Sequence, residues 1–126
     1  MDLDEKTLHI FSMECKLFMT KSSFLSIRED FIKKCLNPEK QQELNSDIHS
    51  TFETLIETIT LACPDLTKED IIFCCLSKTD LNSTLISRYM GSMSRKAVNQ
   101  RRYRVKKKMK EAGCFKLIDF IFSHKS

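Results

Sequence analysis

The sequence predicts an all-α protein: a C-terminal helix-turn-helix bundle of about four short helices, preceded by two or three longer amphipathic helices. Two observations carry the class. Apolar residues recur every three or four positions along most of the chain, and no stretch alternates convincingly with a period of two. Only two Gly and two Pro interrupt 126 residues, and 41% of residues are hydrophobic, too many for a disordered chain. A third observation places the bundle at the C-terminal end, where the elements shorten and the charge changes sign.

The elements follow in order. From Asp4 to about Met19 a first helix carries Leu8, Phe11 and Leu17, with Ile10 and Phe18 widening the stripe. After Lys21-Ser22-Ser23, a second helix runs to Leu36, with Phe24, Ile27, Phe31 and Cys35 or Leu36 on one face. Asn37 is placed to cap a third helix with Pro38 at its first position. Leu44, Ile48, Phe52, Leu55, Ile59 and Ala62 form its seam, spaced by fours and threes. The spacing predicts one uninterrupted helix of about five turns. Its seam packs on the first two helices or pairs with another chain as a short coiled coil. Residues 1–62 are accordingly expected to form a helical N-terminal region, a connector or dimerisation segment, and residues 63–126 the helix-turn-helix domain.

Beyond Pro64-Asp65 the helices are shorter. Thr67 can cap a helix with Asp70 three residues on, close to a capping box. Ile71, Ile72, Cys74, Cys75 and Leu76 make this helix almost wholly apolar, so it is expected at the centre of the fold. A turn at Asp80-Leu81-Asn82-Ser83 offers caps for a short helix, Thr84 to Met90, that stops at Gly91. Ser92-Met93-Ser94 is the next turn. A long basic helix then runs from Arg95 to about Ala112, and a last apolar helix spans Phe115 to Phe122.

Charge divides the chain more sharply than hydropathy does. Between Leu81 and Lys110 lie Arg88, Arg95, Lys96, Arg101, Arg102, Arg104, Lys106, Lys107, Lys108 and Lys110, and no acid. The chain as a whole carries +4, so the remaining residues sum to −6. A mildly acidic body with one concentrated cationic segment suits a protein that docks on a polyanion. A solvated helix face is the plainer reading of any charge run. Uncompensated positives at i,i+4 spacing repel one another, however, which favours a partner anion.

Other chemistry is thinly represented. The six cysteines, Cys15, Cys35, Cys63, Cys74, Cys75 and Cys114, contain no C-x-x-C pair, and most lie among apolar residues. They read first as small buried hydrophobes in a reducing compartment, with a disulfide framework or zinc site as the alternative. His9, His49 and His124 stand near no nucleophile motif, and Gly91 and Gly113 are too few for a phosphate loop. Glu53, Glu57, Glu69 and Asp70 fall on amphipathic faces where solvation is the expected role. No enzymatic activity, cofactor or metal is expected. The acidic N-terminus and the absence of a span-length apolar run predict a cytoplasmic protein without membrane association.

A short helix, a tight turn and a longer basic helix is helix-turn-helix geometry. On a wheel of about 100° per residue, Val105, Met109, Ala112 and Ser94 fall within about 40° of Val98 and form the buried stripe. Lys96, Gln100, Tyr103, Arg104, Lys107 and Lys110 lie opposite, with Asn99 at the edge. Arg101 and Arg102 flank the stripe, where their stems pack and their guanidinium groups snorkel outward. Asn99 and Gln100 have the bidentate amide geometry that reads adenine, and a neighbouring Lys or Arg can reach guanine. The base-contact candidates are Lys96, Asn99, Gln100 and Tyr103, the last able instead to donate to a phosphate. The phosphate-contact candidates are Ser94, Arg95, Arg102, Arg104, Lys106, Lys107 and Lys110, which position without reading sequence.

Residues 66–112 resemble the C-terminal DNA-binding domain of LuxR-type bacterial transcription regulators, the GerE domain. The family's L-T-x-x-E start is met by Leu66-Thr67-Lys68-Glu69-Asp70. Its x-x-L-G helix end is met by Leu85-Ile86-Ser87-Arg88-Tyr89-Met90-Gly91. Ser94-Arg95-Lys96-Ala97-Val98 and Val105-Lys106-Lys107-Lys108-Met109 match the S-x-x-T-V start and basic run of the recognition helix. The turn before Ser94 is one residue longer than the family's, Ala97 replaces a common Thr, and Ser83-Thr84-Leu85-Ile86-Ser87 replaces K-E-I-A. Sigma-factor region four has nearly the same pattern. The resemblance implies sequence-specific binding of double-stranded DNA by a bacterial transcription regulator, with a recognition helix at about 94–112 in the major groove. It also implies a homodimer, since the helix after the recognition helix often forms the family's dimer seam. Here that assigns Leu117, Ile118, Phe120 and Ile121, with packing on the chain's own core as the competing role. RNA polymerase or a separate sensor protein is the further partner such a regulator implies. The alternative is a protein-interaction module whose basic helix docks an acidic protein.

Overall fold

The computed structural model describes residues 3–29, 38–91 and 94–122. Among them are eight helices and no strand: α1 (Glu5–Phe18), α2 (Ser22–Glu29), α3 (Pro38–Thr51), α4 (Glu53–Ala62), α5 (Lys68–Lys78), α6 (Ser83–Tyr89), α7 (Arg95–Glu111) and α8 (Phe115–Phe122). The all-α class is therefore the observed one. The expected places of Phe31, Cys35, Leu36 and Asn37, and of the turn at Ser92 and Met93, lie outside the described residues.

Local chemistry sets most helix starts. Asp4 accepts from the Thr7 N–H, Asn82 from Leu85 and Ser94 from Ala97, at 2.8, 3.0 and 3.1 Å. Thr67 and Asp70 exchange side-chain-to-backbone hydrogen bonds of 3.1 Å each way, completing a capping box at the start of α5. At the end of α7, the Cys114 N–H donates to the Met109 carbonyl and Gly113 to Lys110, with Gly113 at φ +76°. That is a Schellman ending, which needs the left-handed conformation that glycine tolerates best.

The expected third helix is two helices. The chain breaks at Phe52, which takes φ −90° and ψ +34° between α3 and α4. The break exposes N–H groups at the start of α4, and Glu14 of α1 satisfies them: its carboxylate accepts from Thr54 at 2.8 Å and Leu55 at 3.0 Å. Charge-assisted bonds of this kind contribute about 1.5–3 kcal/mol each. The seam itself is spent inside the chain. Leu44, Ile48, Phe52, Leu55 and Ile59 are all fully buried, and α1 packs on both α3 and α4. Phe18 stands between Phe24 and Phe52 at ring distances of 5.3 and 5.1 Å, closing this end of the core. The stripe of α1 is rotated from its expected place. Phe11, Cys15 and Phe18 are buried, whereas Ile10 and Leu17 are exposed.

Helix α5 is central, as its composition predicts. Every residue from Asp70 to Ser77 is buried, and the helix packs against α3, α4, α6 and α8. The apolar core is continuous across positions 62 and 63: α4 packs on α5, and Phe11 of α1 meets Phe120 of α8 edge-on at 5.6 Å. Helix α7 adds Val98, Val105 and Met109 to that core. Ser94 and Ala112, expected on the same stripe, are exposed cap residues where the helix ends pass beyond the core.

Candidate nucleic-acid interface

Helices α6 and α7 pack together and are joined by residues 90–94. Gly91 sits in this connection at φ +84°, a left-handed conformation that turns the chain at the end of α6. The end of α6 is also held from outside. Gln41 of α3 donates to the Tyr89 carbonyl at 2.6 Å, and the Tyr89 hydroxyl donates to the Asn45 side chain. Burial pushes the Tyr89 phenol up to about 12.

One flank of α7 is tied down chiefly by the carboxylate of Asp70. Asp70 is 1% exposed. Besides closing its capping box, it accepts from Arg101 Nη1 at 2.8 Å, with Arg104 at 3.7 Å and Lys108 at 4.0 Å. Glu69 lies 3.7 Å from Arg101, and Lys108 Nζ also donates to the Asp65 carbonyl at 3.2 Å. Arg101 was expected to snorkel outward. Its head turns inward instead, because a carboxylate buried on an apolar helix requires a cation close by.

The other flank is tied by Arg102. Its guanidinium donates to the Asn99 side chain at 2.9 Å and to Ser83 at 3.5 Å, and stands 5.9 Å from the Phe73 ring. Lys106 lies over the Phe122 ring at 5.2 Å. These two phosphate-contact candidates are half-buried against α5, α6 and α8 rather than carried on the outward face.

Between the flanks lies an open face. Lys96, Asn99, Gln100, Tyr103, Lys107 and Lys110 are exposed, and Tyr103 is 70% exposed. Arg95, Lys96, Asn99, Gln100 and Tyr103 line one shallow depression of about 530 Å³. All four base-contact candidates thus share one surface. Among the described residues Lys96, Lys107 and Lys110 make no ion pair. Arg104 stands on the border, exposed but 3.7 Å from Asp70. Ser94 is engaged as the cap of α7, its oxygen accepting the Ala97 N–H. The first turn of α7 holds Arg95 and Lys96 and no acid. Cations there oppose the helix dipole, so the arrangement costs stability rather than adding it.

The four residues assigned to a dimer seam are used otherwise. Leu117, Ile118 and Ile121 are buried in the chain's own core. Phe120 is half-buried against Phe11, with Lys78 Nζ 4.0 Å above its ring. A short, strongly apolar helix gains about 1.5–3 kcal/mol for each such side chain buried, so it folds back on the nearest core. The feature missed in the sequence is the cluster around Asp70. Its available signal was an acid at the head of an otherwise apolar helix, with Arg101 and Arg104 thirty-odd positions on.

No cluster of metal-ligating side chains occurs among the described residues, and no helix there is long and apolar enough to cross a membrane. Comparison with protein-family models, curated proteins and solved structures finds no match to the chain.

Proposed function

We propose that the protein binds double-stranded DNA through the outward face of α7, in the manner of the LuxR-type regulators its sequence resembles, and regulates transcription by doing so. One observation carries the reading: Lys96, Asn99, Gln100 and Tyr103 share an open depression on the N-terminal half of α7, while the cations Lys107 and Lys110 continue the same face. In a helix-turn-helix the N-terminal half of the second helix meets base edges and the remainder meets phosphates. Two amides among cations distinguish a reading surface from a purely electrostatic one. The unopposed positive charge in the first turn of α7 supports the same reading, since a groove of phosphates would compensate it. Helix α8 has no part in this proposal as a dimer seam.

The test is selection of bound sequences from random duplexes by the purified full chain, followed by fluorescence anisotropy on the enriched sequence across a salt series. A preferred sequence is expected, with affinity falling steeply as salt rises. Absence of duplex binding at low salt would overturn the reading.

A further inference from the structure

The mechanism above uses none of the buried thiols, yet two of them are in contact. Cys63 closes the C-terminal end of α4, and Cys114 stands between α7 and α8. They are 51 positions apart, with Sγ atoms 3.8 Å from each other. Both are buried, at 2% and 3% exposure. Neighbouring backbone holds the pair in place: the Cys63 N–H donates to the Ile59 carbonyl and the Cys114 N–H to Met109. Cys114 Sγ also lies 3.7 Å from the Ala62 carbonyl. Cys74 and Cys75 are successive residues of α5, so their side chains diverge around the helix. Cys63 and Cys114 are a sulfur pair within contact distance, and both are free thiols.

We propose that Cys63 and Cys114 are a modification site: a dithiol that a two-electron oxidant, a peroxide or a small-molecule disulfide, converts to an internal disulfide. With a disulfide as oxidant, one protein thiolate attacks it and expels one small thiol. The second protein thiol then attacks the mixed disulfide and expels the other. With hydrogen peroxide, one sulfur becomes a sulfenic acid as the first water leaves. The second sulfur displaces the second water, and the two thiol protons end in the waters. Only a modest closing movement separates contact from bond, so the cross-link forms within the native arrangement. It would fasten the end of α4 to the corner after α7. Burial, and then the neighbouring Cys114, push the Cys63 thiol up to about 12, so its thiolate is scarce near neutral pH. The folded protein is therefore expected to react slowly and faster as pH rises. The inference is independent of DNA binding, because Cys114 lies beyond the end of α7.

The test begins from reduced, unfolded full chain, where access to the thiols is not limiting. It is refolded in mixed reduced and oxidised glutathione, then alkylated and mapped. The expected product is a monomer about 2 Da lighter before alkylation, in which tryptic peptides 41–68 and 111–116 are joined; each contains one cysteine. Closing so long a loop is expected to raise Tm by roughly 10 °C, reversibly on reduction. Cys63→Ser or Cys114→Ser, whichever folds, abolishes the species, and Cys74→Ser leaves it. Thiols that all remain free, peptides joined through other cysteines, or a cross-linked form no more stable than the reduced one would each overturn the proposal.

Discussion

On one flank of α7, Arg101, Arg104 and Lys108 converge on the buried carboxylate of Asp70. On its outward face, Lys96, Lys107 and Lys110 stand in solvent beside Asn99, Gln100 and Tyr103. The same residue types serve two ends a third of a turn apart. Where a low-exposure acid is available, a cation fastens the helix to its scaffold. Where none is, the cation stays in solvent. The contrast teaches that the cationic segment is no uniform patch: its anchored part holds the open part at a fixed angle.

The strongest way to break this comparison is to remove the acid that creates it. Asp70→Ala should lower the unfolding free energy by about 3–5 kcal/mol, because it strips the capping box and leaves Arg101 half-buried without its main partner. Urea unfolding followed by circular dichroism measures the loss. A change under about 1 kcal/mol would mean that the cluster holds nothing. Replacing both partners, as Asp70→Leu with Arg101→Met, should recover much of the deficit, since an uncompensated buried charge is worse than none. If apolar packing at these two positions holds α7 at the same angle, the proposed DNA affinity should be retained in the double variant, because neither residue lies on the outward face.

The second prediction sharpens the open side. Asn99→Ala and Gln100→Ala should each relax sequence preference, by about 1–3 kcal/mol for a lost bidentate contact. Gln100 is the cleaner probe, because Asn99 accepts a hydrogen bond from Arg102 in the free protein. Competition between the selected duplex and a scrambled one reads the effect. An equal loss on both duplexes would show that the amide positions the helix without reading a base.

How much of this was legible in the sequence varies with the range of the interactions. Thr67, Asn82 and Ser94 were readable as caps, because a cap bonds to backbone three residues away. The central position of α5 followed from its apolar composition, and the inner stripe Val98, Val105, Met109 from periodicity. The break at Phe52 did not. The seam from Leu44 to Ile59 keeps a helical spacing across it, and the N–H groups it frees are satisfied by Glu14, some forty residues earlier. The site divides the same way. The outward face could be read from the wheel, but the inward turn of Arg101 depends on Asp70, 31 positions away. The shared apolar character of α8 could not tell a seam from a core, and the chain's own core took it.

The third prediction concerns charge without sequence. Lys107→Gln with Lys110→Gln should weaken binding to all duplexes alike, by roughly tenfold near 0.1 M salt, and reduce the salt slope by about 1.8 for two lost phosphate contacts. Stability should stay within about 0.5 kcal/mol, because both side chains are exposed and make no ion pair among the described residues. An unchanged slope would place these lysines off the DNA.

The smallest effect separates two roles for Tyr103. Its ring lines the depression with Asn99 and Gln100, and its exposure leaves the hydroxyl free to reach a phosphate. If the hydroxyl donates, Tyr103→Phe should cost about 0.5–1.5 kcal/mol of affinity for every duplex, with sequence preference unchanged. If the ring is what matters, Tyr103→Phe should be neutral and Tyr103→Ala costly, because the aromatic surface that stacks on sugar and base is gone. Anisotropy titrations of both variants decide between them. Neutrality of both would remove Tyr103 from the interface and confine base contact to the first turn and a half of α7.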